Sequence, residues 1–388
     1  MIFFPEYMLM PDSSIRSGMA VLTNPNGSIK DVFEAKENNY LNEKTYHCCG
    51  LLLPGLVNSH CHLELSWCRG LYPEKSGMEA FYGAMSGVHS RRPADQIILA
   101  DIQHAMEELY NQGVVAIADI SNTPLTLSAK TNSNIYFHTF LEVFGTNEND
   151  AKYCFNDILT LQKTFAENKQ NCSLSAHTLI TLSQTLMSLL MTRIEEEKTI
   201  HSIHFLESIE EKQYFEQMRP ILNIHGNNFA KSNYKSASNA ACKLMPTQNR
   251  VMFVHNTFAG KENIEEILHH FSNPWFCFCP ASNQYITGHL ADVPMIQSLT
   301  PDILIGTDSL SSNHELNMFA EIDILLDSYA TLKPETLLAA ATLNGARFLG
   351  IDKQFGSIEK NKKPGLVLLE NYQPGLRKFS SLTVKRLL

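Results

Sequence analysis

Between residues 50 and 306 the chain repeats one unit: a short, almost wholly apolar run rich in β-formers, then a stretch whose apolar residues recur at helical spacing. The runs are 51–58 (Leu-Leu-Leu-Pro-Gly-Leu-Val-Asn), 114–120, 135–144, 172–181, 200–206, 251–255, 275–279 and 302–306, eight in all. Helical periodicity marks Ile97–Tyr110, Ala151–Phe165, Leu186–Ile194, Ile264–Phe271 and Leu316–Tyr329. Strands that are apolar on both faces belong in a parallel sheet covered by helices. Eight such units predict an α/β fold of the closed (β/α)8 TIM type. An open doubly wound sheet would want a glycine-rich fingerprint after its first strand, and none is present.

Both ends of the chain break this rhythm. Residues 1–50 hold short apolar stretches interrupted by turn residues such as Asn24-Pro25-Asn26-Gly27. After Leu349 come Gly356-Ser-Ile-Glu, a basic turn at Lys360–Lys363 and the apolar run Leu366–Leu369. The two ends are expected to pair as strands of one small β-sandwich, 1–50 with 351–388, beside a barrel domain spanning 51–350. The length of 388 residues suits a barrel of about 250 residues with such an appendage. Residues 220–250, polar and rich in Asn and Ser, read as a long loop inserted into the barrel.

Composition narrows the class. At 44% hydrophobic and 18% charged residues the chain is an ordinary globular protein with enough apolar surface for a large core. A net charge of −9 opposes binding to nucleic acid or to an anionic membrane. Nine scattered cysteines show neither a disulfide framework nor a zinc-finger spacing, so reduced thiols in a cytoplasmic protein are expected. The start, Met-Ile-Phe-Phe-Pro-Glu, lacks the form of a signal peptide, and no run of 18 apolar residues predicts a membrane span.

In a parallel barrel the reactive side chains sit at the C-terminal ends of the strands. Imidazoles and carboxylates collect there: His60 and His62 after the first run, His177 at the fourth, His204 and Glu207 at the fifth, His255 at the sixth and Asp308 at the eighth. His60 and His62, two apart on a strand, point to the same face and form a natural ligand pair for zinc or ferrous iron. His204 and Asp308 would complete three nitrogens and one oxygen. Glu207 lies three residues beyond His204, where it could reach water at such a site without ligating the metal; the alternative is a solvated carboxylate beside Glu210 and Glu211. His255 could be a core histidine bonded to a carbonyl, and His177 is open between the two roles. His138, His201 and His225 are expected to be structural or at the surface. His62-Leu63-Glu64 matches the first half of a cytidine-deaminase motif whose Pro-Cys-x-x-Cys half is missing. His314-Glu315 opens like a zincin helix, but Met318 stands where the second histidine belongs.

Taken together, Pro54-Gly-Leu-Val-Asn-Ser-His-Cys-His-Leu-Glu-Leu-Ser66, Ser175-Ala-His-Thr, Ile203-His-Phe-Leu-Glu-Ser with Glu211, Val254-His-Asn, Cys279-Pro-Ala-Ser-Asn283, Gly306-Thr-Asp-Ser with Ser312-Asn313, and Ala341-Thr-Leu-Asn-Gly-Ala346 resemble the amidohydrolase superfamily, in its deaminase and chlorohydrolase branch. His-Leu-Glu-Leu-Ser after the histidine pair and Leu141-Glu-Val-Phe-Gly145 are most similar to aminodeoxyfutalosine deaminases of the alternative menaquinone pathway. The resemblance implies one divalent transition metal, zinc or iron, on His60, His62, His204 and Asp308. It implies Glu207, His255 and Asp308 as the catalytic groups, and Glu64, His177, Ser309 and Asn313 as substrate contacts. Relatives with two metals carry a lysine at the end of strand four; here that segment reads His177-Thr-Leu-Ile-Thr, which favours one metal. Leu179 and Ile180 replace a common Pro-Tyr pair, Ala281 replaces a common arginine, and Pro364-Gly365 replace Ala-Asp. The first two of these departures bear on the substrate, and Leu179 and Ile180 suggest a drier pocket wall.

The expected reaction is hydrolytic removal of ammonia from an aminated nitrogen heterocycle, with the adenine ring of aminodeoxyfutalosine or a related nucleoside as the leading candidate. An amide, ring-amide or halide hydrolase on the same scaffold is the first rival, and a non-catalytic binding relative the second. The expected partner is a small molecule, with no nucleic acid and no membrane; a homodimer is compatible with the sequence.

Overall fold

A computed structural model describes residues 1–37, 43–216 and 233–388. All eight apolar runs are strands. β1 to β5 (Ile2–Leu9, Ile15–Ser17, Met19–Thr23, Ile29–Glu34, Thr45–Pro54) precede them. The eight follow as β6 (Leu56–Cys61), β7 (Val114–Ser121), β8 (Tyr136–Val143), β9 (Asn171–Ala176), β10 (His201–Phe205), β11 (Arg250–His255), β12 (Asn273–Phe278) and β13 (Ile303–Ile305). β14 (Leu366–Glu370) and β15 (Thr383–Arg386) end the chain. β6 to β9 form one parallel four-stranded sheet in sequence order, and β10 to β13 another.

The two parallel sheets adjoin along both outer edges. At one seam the His204 amide donates to the His177 carbonyl at 2.9 Å and the Ser202 amide to the Ser175 hydroxyl at 3.1 Å. At the other, Cys61 and Asp308 form a parallel bridge, and the amides of Thr307 and Asp308 both donate to the His60 carbonyl at 3.0 Å. Gly306 permits that second approach: a Cβ there would stand 2.8 Å from the His60 backbone nitrogen and oxygen.

Each strand is buried on both faces, as its apolar run predicts. Ile117, Phe253, Phe276, Ile303 and Ile305 join the large outer cluster with helix residues such as Ile102, Leu109, Leu190, Ile264 and Leu325. Their sequence neighbours Ala116, Ala118, Met252, Val254, Cys277 and Leu304 meet in a separate cluster with Phe348. The helices Asp95–Asn111, Ala151–Glu167, Gln184–Glu197, Lys261–His270 and Met318–Ser328 lie where periodicity places them.

The chain ends share one seven-stranded sheet in the order β15-β14-β5-β1-β3-β4, with β2 beside β1. β14 runs antiparallel to β5, pairing Leu366 with Pro54 and Leu369 with Leu51. Leu51, Leu53, Val367 and Leu369 face the main core, while Phe3, Leu52, Leu366 and Leu368 form a core of their own. β5 continues to Pro54, beyond the boundary expected at residue 50: the run 51–58 is two strands of different sheets, separated at Gly55, where a Cβ would meet the Pro364 carbonyl at 2.7 Å.

Of the expected 220–250 insertion, 220–232 lie outside the described residues, as does His225. The remainder is not all loop. Ser236 caps a helix, Ala237–Leu244, by accepting from the Asn239 amide, and the helix buries Ala237, Ala240 and Ala241. Small apolar residues there carry a packed face too slight to show as periodicity. All nine cysteines are unpaired. Among the described residues no helix is long and apolar enough to cross a membrane.

Candidate active site

The C-terminal ends of β6, β10 and β13 bring His60, His62, His204 and Asp308 together. One ring nitrogen from each of the three histidines lies within 4.8 Å of the others. The Nε2 atoms of His60 and His62 face each other at 3.1 Å, and Asp308 Oδ1 stands 3.7 and 3.5 Å from them. Burial keeps these imidazoles neutral: it lowers His60 and His204 and brings His62 down to about 3. Burial would by itself raise the Asp308 carboxyl, but His62, His255 and the Ser282 hydroxyl hold it below its ordinary value, so it is ionised. Two neutral nitrogens at contact distance beside a carboxylate, all buried, are a poor arrangement for hydrogen bonding alone. They are a good one for a divalent transition metal, which takes imidazole lone pairs and a carboxylate oxygen.

The supporting contacts explain the aim of each group. His204 Nδ1 points at the His177 carbonyl at 2.9 Å, which leaves Nε2 as the lone-pair nitrogen. Asp308 Oδ2 accepts from the hydroxyls of Ser282 and Ser312, the latter at 3.0 Å. The Leu63 amide, one residue past His62, donates to Asp119 Oδ1 at 2.9 Å. Asp119 in turn pairs with Lys130 at 2.5 Å, both side chains fully buried. Leu206, His255 and Asp308 adopt left-handed backbone with φ of 47°, 73° and 56°. Non-glycine residues held there mark strain, which is found at functional sites.

Beside this cluster Glu207, His255 and Asp308 each place a polar atom within 4.8 Å of the others. Glu207 Oε1 lies 3.4 Å from His255 Nε2. Burial pushes the Glu207 carboxyl up to about 8, aided by the Asp308 charge and opposed by His204, so it carries a proton at neutral pH. His255 Nδ1 contacts Asn283 Oδ1 at 2.9 Å, so Nδ1 holds the ring hydrogen and Nε2 faces Glu207 as an acceptor. The Glu207 amide donates to Glu211 Oε2 at 3.1 Å, which fixes the turn that carries it.

The expected substrate contacts divide. His177 Nδ1 bonds Thr181 Oγ1 at 3.0 Å, and its ring centroid lies 4.9 Å from that of His204. Glu64 is buried and accepts from Ser121 Oγ at 2.7 Å and the Asn122 amide at 3.0 Å. Burial raises it to about 7. Ser309 bonds the Ser311 hydroxyl at 2.5 Å. Asn313 commits its amide hydrogens to the Thr307 carbonyl at 2.9 Å and to Glu321 at 2.8 Å, bracing the turn that presents Asp308. Leu179 and Ile180, expected to line the pocket, pack into the main hydrophobic core.

Glu142, at the end of β8 and within the segment Leu141–Gly145, joins the site without having been expected there. Its Oε1 is 3.4 Å from His204 Nδ1, and burial raises it to about 8. The usable signal was a carboxylate at the end of an apolar strand run. Lys130 was not singled out either; it lies on a helix, and no strand-end pattern points to it.

Residues 51–386 match the amidohydrolase family. The chain is 27% identical to the adenosine deaminase of Helicobacter pylori over 328 residues, 81% of this chain and 78% of that protein. It is 26% identical to the aminodeoxyfutalosine deaminase of Nitratiruptor sp. over 338 residues, 82% of this chain and 79% of that one. The crystal structure of Helicobacter pylori aminofutalosine deaminase in complex with methylthio-coformycin superposes with a TM-score of 0.83 at 21% identity, covering 100% of both chains. The chain belongs to the amidohydrolase family. Within it, the chain stands among the hydrolytic deaminases, enzymes that act on carbon–nitrogen bonds.

Proposed function

We propose that this enzyme removes ammonia from the adenine ring of a nucleoside, with aminodeoxyfutalosine, adenosine and 5′-thio-substituted adenosines as the candidates that its relatives' names suggest. His60, His62, His204 and Asp308 would hold one divalent ion, zinc or iron. Bound there, such an ion supplies Lewis-acid activation of water near neutral pH. The observation that carries the reading is the convergence of Glu207, His255 and Asp308 within 4.8 Å of one another beside the three-histidine cluster, with burial raising Glu207 while Asp308 is held below its ordinary value. Two carboxyls driven to opposite charge states divide the work into an acid and a base.

Asp308 takes one proton as water oxygen bonds to the amine-bearing carbon. Glu207 gives its proton to the neighbouring ring nitrogen. His255, through its acceptor Nε2, faces the Glu207 carboxyl and orients the proton that Glu207 gives up. The protons left on Asp308 and on the added hydroxyl then go to the leaving amine and back to Glu207. The carbon–nitrogen bond breaks, ammonia departs and a ring carbonyl remains.

The same reading closes the two parallel sheets, β6 to β13, into one eight-stranded barrel, and folds the terminal sheet, β1 to β5 with β14 and β15, into a small β-sandwich beside it. It places the enzyme in the cytoplasm. If aminodeoxyfutalosine is the substrate, its role is in menaquinone biosynthesis. The test is ammonia release by the metal-loaded protein from a panel of adenine nucleosides, other aminoheterocycles, chlorotriazines and linear amides, with metal content measured on the same sample. Turnover of an adenine nucleoside with about one metal per chain is the expected result. Turnover of linear amides or chlorotriazines alone would overturn it.

A further inference from the structure

On the flank of His204 away from Glu207, one buried acceptor has no donor. Glu142 Oε1 makes no hydrogen bond, although the side chain is only 7% exposed. The His204 Nδ1 hydrogen beside it is directed at the His177 carbonyl at 2.9 Å, against 3.4 Å to Glu142. Glu142 Oε2 has only a long contact of 3.5 Å from Asn122 Nδ2. Asn122 also ties this group to Glu64: its amide donates to Glu64 Oε2 at 3.0 Å and its Nδ2 to the Glu142 carbonyl at 2.8 Å. The basic group closest in chemistry, Lys130, is committed to Asp119 and Thr139. A buried carboxyl oxygen left without a donor is unfavourable, so a donor is expected to arrive with the ligand.

We propose that Glu142 is a substrate-binding residue whose Oε1 accepts a hydrogen bond from a sugar hydroxyl of the nucleoside. This inference rests on the nucleoside reading above. The ring must lie where Glu207, His255 and Asp308 converge, at the ends of β10, β11 and β13. Glu142 stands at the end of β8, across His204 from them, and so meets the part of the substrate remote from the base. In a nucleoside that part offers hydroxyl donors, and the unpartnered carboxyl oxygen is an acceptor for one of them. Glu142 thus selects ribonucleosides over sugars that lack the hydroxyl.

The test is a cycle between residue and substrate. Wild type and Glu142→Met are assayed on adenosine and on its 2′-deoxy, 3′-deoxy and 2′,3′-dideoxy forms, with metal content measured for both proteins; whichever ribonucleoside turns over best replaces adenosine if needed. The variant is expected to lose about three- to tenfold in kcat/KM on the ribonucleoside, mainly through KM. On the form lacking the hydroxyl that Glu142 holds, it should match wild type within about twofold, with metal content unchanged. An equal loss on ribo and dideoxy substrates would overturn the inference, because Glu142 would then act only through His204. Two metals per chain falling to one in Glu142→Met would overturn it in favour of a second metal site. If wild type releases ammonia from no ribonucleoside, the parent reading fails and this inference fails with it.

Discussion

Lys130→Met removes an ammonium from the most enclosed ion pair in the described structure. Lys130 Nζ sits 2.5 Å from Asp119 Oδ2 and 2.8 Å from Thr139 Oγ1, over the faces of Phe137 and Phe165 at 5.6 and 5.3 Å. Neither side chain of the pair is exposed. Methionine nearly preserves the volume, so the perturbation is electrical. It leaves Asp119 with one remaining donor, the Leu63 amide. Burial already raises the Asp119 carboxyl despite Lys130, so without the lysine it must take up a proton or stay charged in an apolar site. Breaking a buried pair in this way costs about 3–5 kcal/mol. Replacing both members, Asp119→Asn with Lys130→Met, removes the stranded charge and should recover most of that. Urea unfolding of the wild type, both single variants and the double variant measures the cycle. Because Asp119 holds the residue after His62, the lysine variant should also bind metal more weakly. A loss below about 1 kcal/mol for Lys130→Met, or no recovery in the double variant, would refute the reasoning.

Other outcomes follow from single contacts. His201 is buried with neither ring nitrogen bonded, and burial lowers it to about 3. The unfolded chain therefore takes up a proton there below about pH 6.5 that the folded chain refuses, and this share of stability falls by about 1.4 kcal/mol per unit as pH drops from 6.5 towards 3. His201→Met should flatten the pH dependence of unfolding by about one proton, which equilibrium unfolding at pH 5 and 7 in the same metal state will show. Gly306→Ala forces a Cβ to within 2.8 Å of the His60 backbone. It should separate β13 from β6, seen as weakened metal binding and lost activity, whereas Gly83→Ala, with nothing within 4 Å, should change neither.

The eight barrel-type strands and their helices were legible because burial on both faces writes an uninterrupted apolar run. The metal-type cluster was legible because strand ends are where such a fold presents side chains. Residues that act through a second group were harder to see. Glu142 meets His204 only through the adjacency of β8, β9 and β10, and Lys130 reaches Asp119 from a short helix, Leu127–Thr131. The helix Ala237–Leu244 was hidden because alanines supply its buried face.

In the proposed mechanism Glu207 carries the protons of the deamination and does not hold the metal. Glu207→Gln keeps the size of the side chain and removes the proton that burial retains there. The decisive measurement is kcat for ammonia release from an adenine nucleoside, with metal content determined on the same protein. The account predicts a fall of about 10⁴-fold or more, since the group acts twice where a single acid–base step is worth about 10²–10⁴-fold. Metal content should stay at the wild-type value, while His204→Ala loses metal. Retention of most of the activity, or loss of metal as complete as in His204→Ala, would contradict it.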